Sequence, residues 1–316
     1  MSLKNIWRNW FIFKKGKNFT AELHTFQYHL EKNLYDLFNE LNRVRYQHGG
    51  YRTFVVCDNK RREISVSNIR DRVVHRLIYD YLNKMYDKTF IYDAWSCRLG
   101  KGLLGAIQRG QTFLQKYPQS YIWKADVKKF FDSVDHKTLL EILSFRVKDR
   151  ITINLLKNVI DSFSSIQSQR VGMPIGNLTS QIFANIYMNE LDHYVTHQLK
   201  PKAYLRYCDD FILLENDFEK LKSHRIITTQ FLKNKLKLEM NTKNDRIMKA
   251  KQGLRFLGVK LWPYNRHLNK RNILRSKEKL SYNNISSYSG LIAQHGNYKQ
   301  LRHFNWLIYE KLLIEF

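Results

Sequence analysis

One short stretch limits this chain more than any other. Two apolar runs, Tyr204-Leu205-Arg206-Tyr207 and Phe211-Ile212-Leu213-Leu214, are separated only by Cys208-Asp209-Asp210. Runs of this length and composition read as strands, and so small a gap reads as a tight hairpin turn. The tip then carries two adjacent acids in apolar surroundings, where they repel each other and resist desolvation. A divalent cation is one way to keep both ionised. Hard carboxylate oxygens select Mg²⁺, which keeps several waters and uses one or two carboxylates plus substrate phosphates. Acid-rich turns also occur as plain solvated turns, so the pair alone leaves both readings open. A third acid, Asp126, closes the strand expected over 121–126, in Trp123-Lys124-Ala125-Asp126-Val127.

Charge narrows the partner. The 316 residues carry 54 Lys and Arg against 28 Asp and Glu, a formal charge of +26. Such a surplus repels itself unless it meets a polyanion, and nucleic acid is the natural one, because Lys and Arg displace counterions from phosphates. Aromatic residues make up 14% of the chain, and many lie beside cations, as in Trp7-Arg8-Asn9-Trp10-Phe11 and Arg43-Val44-Arg45-Tyr46. Rings that stack on unpaired bases beside backbone-holding cations make such a pattern useful; a basic surface over an aromatic core makes the same pattern without function. The three cysteines, Cys57, Cys97 and Cys208, lack metal-ligand or disulfide spacing, which fits a reduced, intracellular protein. No apolar run approaches the roughly 18 residues of a membrane helix, and Met1 to Phe13 lacks a signal-peptide core.

The order of elements reads as helical, then mixed α+β, then helical. An amphipathic helix is expected over 20–47, with Leu23, Phe26, Leu30, Leu34, Leu37, Phe38 and Leu41 at helical spacing. Strands at 51–57 and 63–67 flank a basic Lys60-Arg61-Arg62 turn. Ser67-Asn68 caps a helix reaching Met85, with Val73, Val74, Leu77, Ile78, Tyr81 and Leu82 as its buried face. Gly100, Gly102, Gly105 and Gly110 lack a phosphate-loop signature and read as a turn entering a helix. Helix is expected over 139–163, and again from Leu178 to His197 after the interruption at Gly172–Gly176. Another helix covers 218–235, strands lie near Leu238 and at 256–261, and the chain is helical from Arg275 on, with a break at Ser286–Ser289.

Three segments along the chain carry a resemblance: Asp126-Val127-Lys128-Lys129-Phe130-Phe131-Asp132, Pro174-Ile175-Gly176-Asn177-Leu178-Thr179-Ser180-Gln181, and Tyr207-Cys208-Asp209-Asp210. Together they resemble the palm of reverse transcriptases. Ile69-Arg70-Asp71-Arg72-Val73-Val74 resembles the fingers segment of bacterial intron and retroelement enzymes, and Arg255-Phe256-Leu257-Gly258 the primer grip. The similarity spans roughly Arg61 to Leu261. It implies an α+β right-hand polymerase fold with an N-terminal basic-aromatic helical extension over 1–50, fingers over 51–120, palm over 121–262 (with fingers elements near 140–175) and a short helical thumb over 263–316.

Within that family Ile175 before the glycine, and Gln181 after the serine, are similar to diversity-generating retroelement enzymes, as are Ser287-Tyr288-Ser289-Gly290 and His295-Gly296-Asn297. That subtype implies error-prone copying of a template-repeat RNA into cDNA, with errors opposite adenine, for targeted protein diversification. It also implies a basic accessory variability protein, which could act as an oligomer, and a cytoplasmic setting in a bacterial, phage or archaeal cell. A retron or defence-type enzyme of ordinary fidelity, and a catalytically idle RNA-binding scaffold, are the competing readings; the intact acid set argues against the second. The resemblance implies two Mg²⁺ ions, with Mn²⁺ as a substitute, on Asp126, Asp209, Asp210 and the carbonyl of Val127. Partners implied are template RNA, the RNA/cDNA duplex and dNTPs. Lys60, Arg62, Arg70 and Arg72 would grip the triphosphate, although Arg72 could instead pair within the fingers. Phe131 would exclude a 2′-hydroxyl, Ile175, Gly176 and Gln181 would shape the template–nucleotide pocket, and Lys243 would protonate pyrophosphate. Phe256, Leu257 and Gly258 would hold the primer. Cys208 reads as a small packing residue.

Overall fold

The computed structural model describes residues 1–57, 61–166 and 169–315. The N-terminal helices are α1 (Leu3–Lys14), α2 (Ala21–Tyr28) and α3 (Leu30–Asn42), followed by an antiparallel pair, β1 (Tyr51–Cys57) and β2 (Arg61–Ser67). Next come α4 (Ile69–Tyr86), α5 (Leu103–Lys116), β3 (Tyr121–Asp126), the single turn α6 (Phe130–Ser133), α7 (His136–Arg146) and α8 (Arg150–Asp161). The long helix α9 (Leu178–Tyr194) leads to β4 (Ala203–Tyr207), β5 (Asp210–Glu215) and α10 (Phe218–Leu236). Four short strands, β6 (Arg246–Lys249), β7 (Leu254–Phe256), β8 (Val259–Leu261) and β9 (Arg266–Leu268), precede α11 (Lys270–Glu278), α12 (Ile285–His295) and α13 (Tyr298–Glu315).

The central sheet is antiparallel, in the order β4-β5-β3-β6. Its apolar runs are continuous because both faces are covered. Trp123, Ala125, Tyr204, Phe211 and Leu213 face one core, shared with α4, α9 and the N-terminal helices. The alternate residues Ile122, Ala203, Leu205, Ile212 and Leu214 face a second core, shared with α5 and the three-stranded sheet β7-β8-β9. Period-two alternation thus places Lys124, Asp126 and Asp210 on the second face, at the end of the sheet. Among the described residues no helix is long and apolar enough to cross a membrane.

Helix α4 starts where the sequence indicates. The Asn68 side chain accepts from the Asp71 amide at 2.9 Å, and Val73, Val74, Leu77, Ile78 and Leu82 are buried. Tyr81, expected on that face, is instead 41% exposed. The helix expected over 20–47 is two helices, broken at His29, and the Asn33 side chain donates to the Phe26 carbonyl at 2.9 Å across the break. Arg61 and Arg62 lie in β2 rather than in a turn, while Lys60 falls outside the described residues. The 139–163 stretch divides at 147–149 because the Asp149 side chain caps a new helix at the Thr152 amide. Near Leu238 there is no strand, only an isolated bridge between Val127 and Met240. Ser286–Ser289 lies inside α12, and the breaks fall at 279–284 and 296–297. In the N-terminal segment Ile6 and Trp10 are fully buried, so part of its aromatic content is core.

Candidate active site

Strand register brings the acids together. Asp126 is the direct cross-strand partner of Asp210, so two carboxylates about eighty residues apart share one face of adjacent strands. Asp209 precedes Asp210 in the turn, where Cys208 adopts a left-handed backbone (φ 58°). The turn is held from behind. Ser96 Oγ accepts from the Cys208 amide at 2.9 Å, and an Arg206 guanidinium nitrogen donates to the Cys208 carbonyl at 2.8 Å. Arg206 is itself clamped by both carboxylate oxygens of Asp192 on α9, at 2.7 and 2.6 Å, with both side chains buried. The Tyr204 hydroxyl adds a third donor to Asp192 at 2.8 Å.

Asp126 and Asp210 each keep one buried oxygen without a hydrogen bond. Asp126 Oδ2 accepts from Asn244 Nδ2 at 2.9 Å and Asn241 Nδ2 at 3.3 Å, while its Oδ1 is buried without a hydrogen-bond partner. Asp210 Oδ1 is likewise buried without a hydrogen bond, although Lys124 Nζ lies 3.3 Å away as an ion-pair contact. Burial raises the Asp210 carboxyl to about 6; Lys124 opposes the shift, and Asp126 and Asp209 add to it. Burial and the Asp209 charge push the Cys208 thiol up to about 12, which leaves it a neutral packing group. The Val127–Met240 bridge is closed by the Asp126 carbonyl and the Lys128 amide, so it draws on neither backbone group of Val127. Among the described residues no three or more His, Cys, Asp or Glu side chains are grouped so as to hold a metal ion by themselves. Two carboxylates paired across adjacent strands, each with a buried oxygen free of hydrogen bonds, are nevertheless a donor set suited to a hard cation that brings its own water.

Other expected residues join this centre through the backbone. The Ser65 amide of β2 donates to the Ile175 carbonyl at 3.0 Å, and the Met173 amide donates to the Phe131 carbonyl at 2.6 Å. Thus β2, the Ile175–Gly176 loop and the turn after Asp126 are contiguous. Gly176 has φ +117°, and a Cβ there would meet Ile64 Cγ2 at 2.9 Å, so only glycine fits without strain. Phe131 and Ile175 are half-buried; Arg62, Gln181 and Lys243 are exposed, the last with its amide bonded to Asn241 Oδ1 at 3.2 Å. Leu257 and Gly258, both at positive φ, form the two-residue turn between β7 and β8. The Gly258 carbonyl accepts from Asn272 Nδ2 and the Asn269 amide, whereas the Phe256 ring is core.

Arg70 and Arg72 depart from expectation. Arg70 pairs with Glu40 and with Asp71 at 3.1 Å and lies over the Tyr46 ring. Arg72 pairs with Glu22 at 3.1 Å. Glu40 lies on α3 and Glu22 on α2, so both guanidinium groups dock the N-terminal helices; for Arg72 this differs from the expected pairing within the fingers as well. Sequence reasoning missed Asn241, Asn244, Ser96 and Asp192; Asn241 and Asn244 flank Lys243, which was the available signal.

The reverse transcriptase (RNA-dependent DNA polymerase) family matches residues 17–261, more than three quarters of the chain and all three acids. The chain belongs to the reverse transcriptase family. Among its relatives, this chain is 24% identical over 243 residues to protein YkfC of Escherichia coli, covering 65% of this chain and 64% of YkfC. It is 24% identical over 176 residues to the group II intron-encoded protein LtrA of Lactococcus lactis subsp. cremoris, covering 53% of this chain and 28% of LtrA. The structure of telomerase from Candida albicans with a fragment of telomeric RNA superposes with a TM-score of 0.53 at 12% identity, over 90% of this chain and 61% of that one. The fold is therefore the α+β polymerase fold. The chain spans less than two thirds of each of these proteins.

Proposed function

We propose that the chain is an RNA-directed DNA polymerase whose active centre is the Asp126/Asp209/Asp210 set. The observation that supports it most is the register match of Asp126 and Asp210, each with a buried, unbonded oxygen. In this reading β3–β5 and their helices are palm, β1–β2 and α4 belong to the fingers, and α11–α13 are a short thumb. Asp126, Asp209, Asp210 and the Val127 carbonyl would hold two Mg²⁺, or Mn²⁺ as substitute, which when bound lower the pKa of the primer 3′-hydroxyl and stabilise the departing pyrophosphate. Asn241 and Asn244 orient Asp126, and Lys124 moderates the charge on Asp210. Arg62, with Lys60, receives the triphosphate; Phe131 faces the sugar; the Leu257–Gly258 turn supports the primer; Lys243 stands near Asp126's asparagines as a proton donor. The partners are template RNA, the RNA/cDNA duplex and dNTPs. The test is primer extension on an RNA template with dNTPs and Mg²⁺. Extension by the wild type that disappears in Asp210→Asn is expected, and undiminished extension by that variant would refute the assignment.

The finer reading is a diversity-generating enzyme, error-prone at adenines and working in the cytoplasm with a basic accessory protein. Ile175 and Gln181 support it. An aliphatic side chain cannot supply the amide hydrogen bond that would police the incoming pair, and discrimination is weakest where no polar contact must be satisfied. Sequencing cDNA from a template of known composition decides it. Excess errors at adenines, reduced by Ile175→Gln, are expected; equal error rates at all four bases would instead identify a copying enzyme of ordinary fidelity.

A further inference from the structure

Asn177 stands directly before α9, where an Asn side chain ordinarily accepts from the helix's first turn, yet it makes no such bond. It is drawn the other way. Its Oδ1 accepts from the Ser67 hydroxyl at 3.0 Å and the Ser67 amide at 3.4 Å, and its Nδ2 donates to the Ser65 carbonyl at 2.9 Å. Together with the Ser65–Ile175 bond, this stitches the Ile175–Gly176 loop to the edge of β2.

The chain of contacts continues inward. Ser67 Oγ lies 3.5 Å from His75 Nδ1, the longest link, and His75 Nε2 lies 3.0 Å from His48 Nε2. His48 Nδ1 is 2.6 Å from the Gly49 carbonyl and 3.7 Å from Asp71 Oδ2. Ser67, His75, Asn177 and Asp71 are all buried, so no solvent can replace a missing partner. Donor counting fixes the direction. Asn177 Oδ1 can only accept, so the single Ser67 proton goes to it, and Ser67 Oγ accepts from His75 Nδ1. His75 is neutral, its pKa pushed down to about 3 by burial and by His48 and Arg72. His48 closes the chain, in contact with His75 through Nε2 and with the Gly49 carbonyl through Nδ1.

We infer that Ser67 and Asn177, braced by His75 and His48, are positioning residues that hold the Ile175–Gly176 loop against the nucleotide pocket and so tune base selection. This rests on the polymerase reading above. Ser67→Ala removes the hydroxyl from the chain and leaves the Asn177–Ser65 bond intact. The expected result is a KM for dNTPs about tenfold higher, the worth of one buried hydrogen bond, with more misincorporation and kcat within about twofold of wild type. Hydrogen exchange over 172–178 should rise about tenfold while 203–215 is unchanged. Ser67→Thr restores both, and His75→Gln reproduces the exchange effect from one link further back. Wild-type KM, error rate and exchange in a folded Ser67→Ala variant would overturn the inference, as would equal acceleration over 203–215, which signals general loosening. If the wild type extends no primer, the polymerase reading fails, while the exchange comparison still decides whether the loop is braced.

Discussion

Removing the charge of Asp192 is the sharpest test of how the Asp209-Asp210 hairpin is held. Asp192 and Arg206 are both fully buried, with guanidinium–carboxylate distances of 2.6 and 2.7 Å. Asp192→Leu leaves a buried guanidinium with only Asn185 Oδ1 at 3.3 Å and the Cys208 carbonyl at 2.8 Å. An uncompensated buried charge costs about 3–5 kcal/mol, and the stranded Tyr204 hydroxyl adds roughly 1–3 kcal/mol. Those sums approach the whole stability of a typical domain, about 5–15 kcal/mol. Replacing the trio together, Asp192→Leu with Arg206→Met and Tyr204→Phe, removes the stranded guanidinium and hydroxyl, leaves only the Cys208 carbonyl short of its Arg206 donor, and should recover most of the loss. Urea unfolding with linear extrapolation measures this, provided the slopes agree. A single variant within about 1 kcal/mol of wild type, or a triple variant as unstable as the single, would refute the reasoning. The triple variant should still extend primers poorly, because Cys208 has lost one of its two anchors.

Three further outcomes follow from the same geometry. Asn244→Ala removes the 2.9 Å bond to Asp126 and should weaken the apparent Mg²⁺ affinity about 10–100-fold, measured by metal titration of primer extension, with little change in Tm. Gly176→Ala forces a Cβ to 2.9 Å from Ile64 Cγ2 at φ +117°, at about 1–3 kcal/mol; a melting curve identical to wild type would contradict the close approach. His75 is held down to about 3 against an ordinary value of 6.5, so below pH 6.5 the unfolded chain takes up a proton that the folded one refuses. Its contribution to stability is therefore complete above pH 6.5 and declines as the pH falls toward 3, by up to about 1.4 kcal/mol per pH unit. His75→Gln should flatten that slope in denaturation midpoints taken from pH 7 to 4.

Much of the architecture was legible because it is locally encoded. The β3 strand and the β4–β5 hairpin declare themselves by composition, and α4 by its Asn68 cap and apolar spacing. The short strands β6 and β9 were not legible. Runs of three or four residues owe their existence to neighbours such as β3 and β8 rather than to their own propensity. Arg70 and Arg72 show the same limit in the site. A guanidinium in a motif looks the same whether it meets a phosphate or a carboxylate, and Glu22 and Glu40 lie some thirty to fifty residues upstream.

The amino-acid order alone singled out three acids, placed them at a hairpin and a strand end, and carried a surplus of positive charge that points to a polyanion. It could not settle that Asp126 and Asp210 stand opposite one another, nor which oxygens stay bare. Those follow from strand register, and register depends on the two cores that grip the sheet from either side. Nor could it show that Asn177 turns from its own helix toward β2, since a side chain chooses between two nearby donors only once the tertiary structure has placed them.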